Sequence, residues 1–350
     1  MLFSLASAAF AGLLLSSCHA LPLAKRDFTG PVITTDFPDP SIIKVGDTWY
    51  AFGTQSVYDY TNVKIQLATS TDFVDWNLQA GYDALGNLPS WAEAGQVWAP
   101  DVFKRADGSF IMYFSATTNT AGNGAYHCFG TATSNNIAGP YYSNTDTPFA
   151  CPTDQGGAID ASAFQDVDGS LYVLYKIDAN SKGHGGVCGN TVDPIVSTPI
   201  MIQKVEVDGT TKIGDPTEIL SNGQYDGPLV EAPSMARSGD GTYILYFSSN
   251  CYRYAYSPST SQSEPTDSPR STDSYDTSYA TGPSVTGPFT KTQYPLLVTG
   301  TNGVYGPGGA DIDVDSSHMA FHAYVTKGDV GGRRAMYTAR VRFSGGTVSF

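Results

Sequence analysis

One pattern limits what this chain can become. An acidic head, a short apolar strand, a tight turn and an aromatic-rich strand follow one another five times. The segments are "DPSIIKVGDTWYAF" from Asp39, "DVFKRADGSFIMYF" from Asp101, "DASAFQDVDGSLYVLY" from Asp160, "EAPSMARSGDGTYILYF" from Glu231 and "DIDVDSSHMAFHAY" from Asp311. Their heads lie 62, 59, 71 and 80 residues apart, room for four strands and their loops. Alternating apolar residues around Asp-Gly or Gly-Asp turns read as β-hairpins, and no long stretch carries helical periodicity. Units that cannot bury both faces alone stack radially on their neighbours. The sequence therefore predicts an all-β chain, a five-bladed β-propeller spanning residues 27–350, with the fifth repeat the least regular.

In a propeller the first strand of each blade lines the central channel, so the five acids are expected to surround one mouth. Asp39 is flanked by Pro38 and Pro40, which predicts extended geometry and a carboxylate fixed in direction. A single acid at a strand entry usually just caps a turn; one repeated on channel strands points to a site. Two facing carboxylates are what glycoside hydrolysis requires, one protonated to donate to the leaving oxygen and one ionised to activate water or attack. A third near the acid raises its pKa by like-charge repulsion. The 22 tyrosines and four tryptophans offer flat apolar faces for sugar rings.

The N-terminus adds a compartment. Residues 1–20, "MLFSLASAAFAGLLLSSCHA", read as a signal peptide, too short in its apolar part to span a bilayer comfortably. "LPLAKR" at 21–26 reads as a propeptide ending in the dibasic Lys25-Arg26. No later segment is apolar enough for a membrane span, so a secreted, extracellular monomer with no membrane partner is expected. Of five cysteines, Cys18 leaves with the signal, and Cys128, Cys151, Cys188 and Cys251 can form two disulfides in three alternative pairings. The spacings around His127, Cys128, His184 and Cys188 match no common zinc module. A net charge of −14 argues against nucleic acid and suits a neutral substrate. Neither G-x-S-x-G nor H-E-x-x-H occurs, nor a phosphate-cradling glycine loop.

"FPDPSII", "AIDASAFQDVDGSLYVLY" and "VEAPSM", in that order, resemble the three signatures of glycoside hydrolase family 43. "VWAPDVFKRADGSFIMYFSA" and "GPGGADI…MAFHAY" also resemble family segments, so the likeness runs from Asp36 to Tyr324. It implies a five-bladed propeller of the arabinanase, α-L-arabinofuranosidase and β-xylosidase group, working by inversion on pentose-containing plant polysaccharide. Carried over by position, Asp39 is the general base, Glu231 the general acid and Asp160 the carboxylate that tunes the acid. Trp98 and Asp101 are candidate substrate contacts, Asp101 sharing the repeat position of the other heads. Asp311, with Asp313 and Asp315 nearby, reads as a solvated acidic loop. His322 resembles a histidine placed on the central axis near a calcium or sodium ion or a water; a satisfied core residue is the competing reading. No cofactor is required for the chemistry.

The chain departs from the common pattern at Gly309, where relatives often carry histidine. Arg333 and Arg334 can reach a sugar hydroxyl or pair with channel acids, with solvated surface arginines the favoured reading, and residues 257–284, rich in Ser, Thr, Asp and Pro, read as a long loop of blade four. Absence of a segment for a C-terminal sandwich tilts the expectation from xylosides toward arabinofuranosyl linkages. The alternatives are a β-xylosidase, the retaining invertase-like group, whose "RDP" is missing, and a non-catalytic carbohydrate-binding propeller.

Overall fold

Alternating apolar and small polar residues pair into antiparallel hairpins that radiate from a common axis. The computed structural model of the chain describes residues 28–119, 126–143, 145–253, 274–329 and 331–350; the expected signal peptide (1–20) and propeptide (21–26) lie outside them. Blade one is Ser41–Val45, Thr48–Gly53, Gln66–Ser70 and Asn77–Leu78. Blade two has three strands, Ala92–Lys104, Phe110–Thr118 and His127–Ser134, with its outer edge covered where Thr133 pairs with Tyr142. Blade three is Ala158–Gln165, Leu171–Ile177, Ile200–Val205 and Thr217–Leu220. Blade four is Val230–Arg237, Tyr243–Ser249, Asp276–Gly282 and Thr290–Lys291.

Blade five closes the ring. Its inner strands Gly308–Ile312, His318–Tyr324 and Arg334–Arg340 come from the C-terminal part, and its outermost strand, Phe28–Ile33, comes from the N-terminal end. Phe28 pairs with Ala339 and Ile33 with Met336, so strand pairing between the N-terminal and C-terminal parts closes the ring of blades, which leaves only short edges. The buried apolar residues separate into five clusters, one in each seam between blades. Ile42, Trp49 and Ala51 of blade one, for example, pack on Ala320 and Met336 of blade five. Disulfides join Cys128 to Cys151 and Cys188 to Cys251.

One expectation fails here. Residues 276–282, "DTSYATG", are not part of a loop but the third strand of blade four, paired along its length with Tyr243–Ser249 and nearly all buried. Small Ser and Thr side chains suit a tightly covered strand, and their polarity hid it. Residues 254–273 of the expected excursion lie outside the described residues.

The channel strands share an irregularity that sets the site. At one equivalent place in each blade a residue has positive φ: Asp39 (49°), Ala99 (42°), Asp160 (57°), Ala232 (51°) and Gly309 (55°). In blades two to five the pairing register slips at this point, as between Trp98 and Asp101 or between Glu231 and Ser234. In blade one Thr54 N–H donates to Pro38 O at 2.9 Å while Ser41 pairs with Phe52, the same extra residue just before the strand. Each is a β-bulge, one extra residue that kinks the strand and re-aims its side chains. The extended geometry expected of Asp39 is therefore wrong: the bulge turns its N–H away from its own ladder, toward the blade before it.

The bulge amides find side-chain acceptors. Ala99 N–H donates to Thr54 Oγ1 (2.8 Å), Asp160 N–H to Ser115 Oγ (3.1 Å), Gly309 N–H to Ser248 Oγ (2.9 Å) and Asp39 N–H to His322 Nδ1 (3.0 Å). Each acceptor stands at one register position, at or just beyond the inner end of the second strand of the preceding blade. In blade three that position holds Lys176, opposite Ile159. An ammonium has no lone pair, so Ala232 N–H donates instead to Asp160 Oδ2 (3.0 Å).

Candidate active site

The bulge register sorts the five acids into two levels. Asp39 and Asp160 are themselves bulge residues and Glu231 immediately precedes one; these three line a single pocket of about 400 Å³ at the channel mouth. Trp98, Tyr58, Tyr252, Tyr275 and Arg334 share its wall. Asp101 and Asp311 stand two residues past their bulges, deeper in the channel, around a space of about 40 Å³. The expectation that all five heads share one position is thus corrected by the bulge, which the sequence pattern alone did not mark.

Asp101 does not reach the pocket proposed for substrate. Its oxygens accept from Ser41 Oγ (3.2 Å) and Ala163 N–H (2.9 Å), and burial pushes its carboxyl up to about 6. Asp311 lies in a strand, not a solvated loop, and accepts from Ile42 N–H (2.7 Å) and Ser234 Oγ (2.8 Å). Burial, then the nearby Asp101, holds it well above the carboxylate range. Arg333 is at the surface as expected, paired with Asp59 at 3.1 Å. Arg334 is not: it turns into the pocket, 3.5 Å from Asp39 Oδ1.

The three pocket acids sit in unlike surroundings. Burial acts to raise Asp39, but Arg334 first, and Thr54, whose Oγ1 donates at 2.7 Å, act against it, and the carboxyl is held well below the usual range. Asp160 is driven the other way, by burial first and then by the charge of Glu231. Both Glu231 oxygens are engaged: Tyr275 Oη donates to Oε1 (2.8 Å) and Lys176 Nζ to Oε2 (2.9 Å). Asp39 and Asp160 are therefore set apart in proton affinity. Trp98 stacks on His127 with ring centroids 3.7 Å apart, which fixes its plane at the pocket wall.

His322 is fully buried. Because Nδ1 accepts the Asp39 N–H, its proton sits on Nε2, which has no protein partner among the described residues. A donor nitrogen does not ligate a cation directly, and among the described residues no group of three His, Cys, Asp or Glu side chains is arranged to hold a metal. The residues do not fit a directly bound calcium or sodium; Nε2–H fits a water. Lys176 and Tyr275 escaped the sequence reading. The one available signal was a lysine inside the otherwise apolar "LYVLYKI".

Fold and site together define an all-β, five-bladed propeller with a pocket walled by carboxylates and aromatics at one end of its axis. Residues 28–348 match the model for Glycosyl hydrolases family 43, and the chain belongs to that family. It is 31% identical over 153 residues to extracellular endo-alpha-(1->5)-L-arabinanase 2 of Bacillus subtilis, covering 39% of this chain and 32% of that protein. It is 29% identical over 192 residues to the extracellular endo-alpha-(1->5)-L-arabinanase of Thermotoga petrophila, covering 46% and 37%. The chain thus spans about a third of the length of these relatives. A thermostable family-43 glycoside hydrolase of known structure superposes with a TM-score of 0.70 at 24% identity, covering 90% of this chain and 92% of that one. The endo-arabinase of Bacteroides thetaiotaomicron gives 0.64 at 18%, covering 91% and 99%. These two likenesses establish the fold.

Proposed function

We propose that this chain is a secreted, inverting glycoside hydrolase that cleaves arabinofuranosyl linkages of plant cell-wall arabinan or arabinoxylan. The observation that carries the reading is the convergence of Asp39, Asp160 and Glu231 on one pocket, with Asp39 held low and Asp160 held high. Asp39, ionised, takes a proton from water as the water oxygen attacks the anomeric carbon. Glu231 gives a proton to the departing glycosidic oxygen as the carbon–oxygen bond breaks. Asp160, tied to the N–H of Ala232, stands beside Glu231 and adjusts its proton affinity. Trp98, Tyr58 and Tyr252 offer flat faces to the sugar rings. No step is routed through a metal.

The arabinan assignment is supported by the two extracellular arabinanases among the relatives. A second reading, β-xylosidase, is favoured by a 29% identity over 230 residues with the beta-xylosidase of Bacillus subtilis. Turnover of aryl arabinofuranoside, aryl xyloside and linear arabinan by the wild type and by Glu231→Gln tests both. Hydrolysis of the arabinose substrates, lost in the variant on unactivated linkages, is the expected result. Preference for the xyloside moves the assignment to the second reading, and full activity of the folded variant removes Glu231 from the acid role.

A further inference from the structure

We propose that Lys176 is a positioning residue for the reaction: its ammonium holds the Glu231 carboxyl group in place at the pocket wall. This rests on the reading of Glu231 as the general acid. The propeller's internal symmetry singles this lysine out. Thr54, Ser115, Ser248 and His322 occupy one register position and each accepts the bulge amide of the next blade. Lys176 occupies the fifth such position and cannot accept. The other four blades place an acceptor there, so this lysine serves something other than the shared bulge.

Its surroundings show what. The side chain is 1% exposed, and Nζ lies 2.9 Å from Glu231 Oε2 and 3.0 Å from Asp178 Oδ1. A buried ammonium persists only with close anionic partners, and burial of Lys176 is outweighed by Glu231, Asp178 and Asp160, in that order. The lysine has a second effect. Because it offers no acceptor, Ala232 N–H is left for Asp160 Oδ2, which draws Asp160 against the residue following Glu231. One substitution in the repeat thus orients both carboxylates.

The charged and titratable groups about Glu231 come from every blade. Blade three supplies Lys176, Asp178 and Asp160, and blade four Tyr275, whose hydroxyl donates to Oε1. Asp39 and Arg334, of blades one and five, share the pocket, and His127 of blade two senses Asp178 and Lys176. Of these, Lys176 is the cation in direct contact with the carboxylate. Removing it leaves the Glu231 carboxyl without a cation; removing Asp178 leaves the ammonium to Glu231 alone, so the two changes act with opposite sign.

The opposite signs give the test. The sequence has five glutamates, at 93, 206, 218, 231 and 264, so carbon NMR of protein labelled at the glutamate carboxyl gives few signals, with that of Glu231 assigned by its loss in Glu231→Gln. In Lys176→Met the titration midpoint of the Glu231 signal is expected to rise by roughly 1–3 units, the effect of an adjacent opposite charge. In Asp178→Asn it is expected to fall. The basic limb of kcat/KM should move with it in both variants. If Lys176→Met fails to fold, Asp178→Asn, which keeps the lysine, decides alone. A midpoint that stays put or moves against these signs overturns the proposal. The NMR titration needs no turnover, so absence of glycosidase activity would sink the functional reading while leaving the Lys176–Glu231 coupling readable.

Discussion

The main-chain N–H of Asp39 donates to Nδ1 of His322 at 3.0 Å, and that bond ties the first strand of blade one to the second strand of blade five. The same ring nitrogen lies 3.3 Å from Asp39 Oδ1. Burial, reinforced by Arg334, lowers the His322 pKa and keeps the ring neutral, as an acceptor at Nδ1 requires. His322→Ala leaves a bulge amide unpartnered inside the channel, a loss of about 1–3 kcal/mol. Thermal unfolding should register that loss. Turnover is expected to drop at least about tenfold, the worth of ~1.4 kcal/mol, with KM changing less, because the tether of Asp39 is gone. Unchanged kcat in a folded His322→Ala protein would show that Asp39 is positioned by other contacts.

Gly309 explains why this blade carries no side chain at its bulge. A Cβ there would lie 2.7 Å from His322 Nδ1 and 2.9 Å from Asp39 Oδ1, on a backbone with φ of 55°. Gly309→Ala therefore pushes on the His322–Asp39 contact itself, and left-handed geometry adds about 1 kcal/mol or more of strain. Lower stability together with lower kcat is the expected pair of changes, read by a melting curve and by steady-state kinetics. Loss of stability with kcat intact would confine the effect of Gly309 to the backbone.

Arg334 sets the acid side of the pH profile. Asp39 is depressed in the folded state, so the stability it contributes is present above the unfolded carboxylate value of about 3.9 and is lost as pH falls through the lower folded value. Burial, which acts to raise Asp39, remains when the guanidinium is removed. Arg334→Met is therefore expected to shift the acid limb of kcat/KM upward, toward the ordinary carboxylate range or beyond it. Rates measured across roughly pH 3–7, spanning the reference carboxylate values, check this. Coincident acid limbs would mean Arg334 does not hold Asp39 ionised.

Asp101 contributes to stability with the opposite sign. Its folded value is raised to about 6 by burial, above the unfolded value of about 3.9, so the native state binds the proton more tightly. Its stabilising effect is complete below the unfolded value and disappears as pH climbs through the folded one. Melting temperature should decline over that window in the wild type, and Asp101→Asn should flatten the decline while leaving KM unaltered. A raised KM in Asp101→Asn would restore Asp101 to the substrate-contact role.

The propeller was legible in the sequence because each blade repeats the same head, hairpin and aromatic strand, and because seams between blades demand apolar residues at regular places. Strand Asp276–Gly282 was not, since its small polar residues look like a flexible segment when read without the strand they cover. The pocket acids could be named from short motifs around Asp39, Asp160 and Glu231. Their separation from Asp101 and Asp311 could not, because it depends on a one-residue bulge whose mark is a backbone angle. Lys176 shows the same limit from another side: it stands 55 positions before Glu231 in the chain, and only the fold brings them together.

The central claim is that Asp39 activates water against a sugar whose leaving group is protonated from Glu231, and the configuration of the first-formed sugar tests it most directly. Proton NMR of the product at the earliest times of hydrolysis is expected to show an anomeric configuration opposite to that of the substrate linkage. A first product with the substrate's own configuration would contradict direct attack by water.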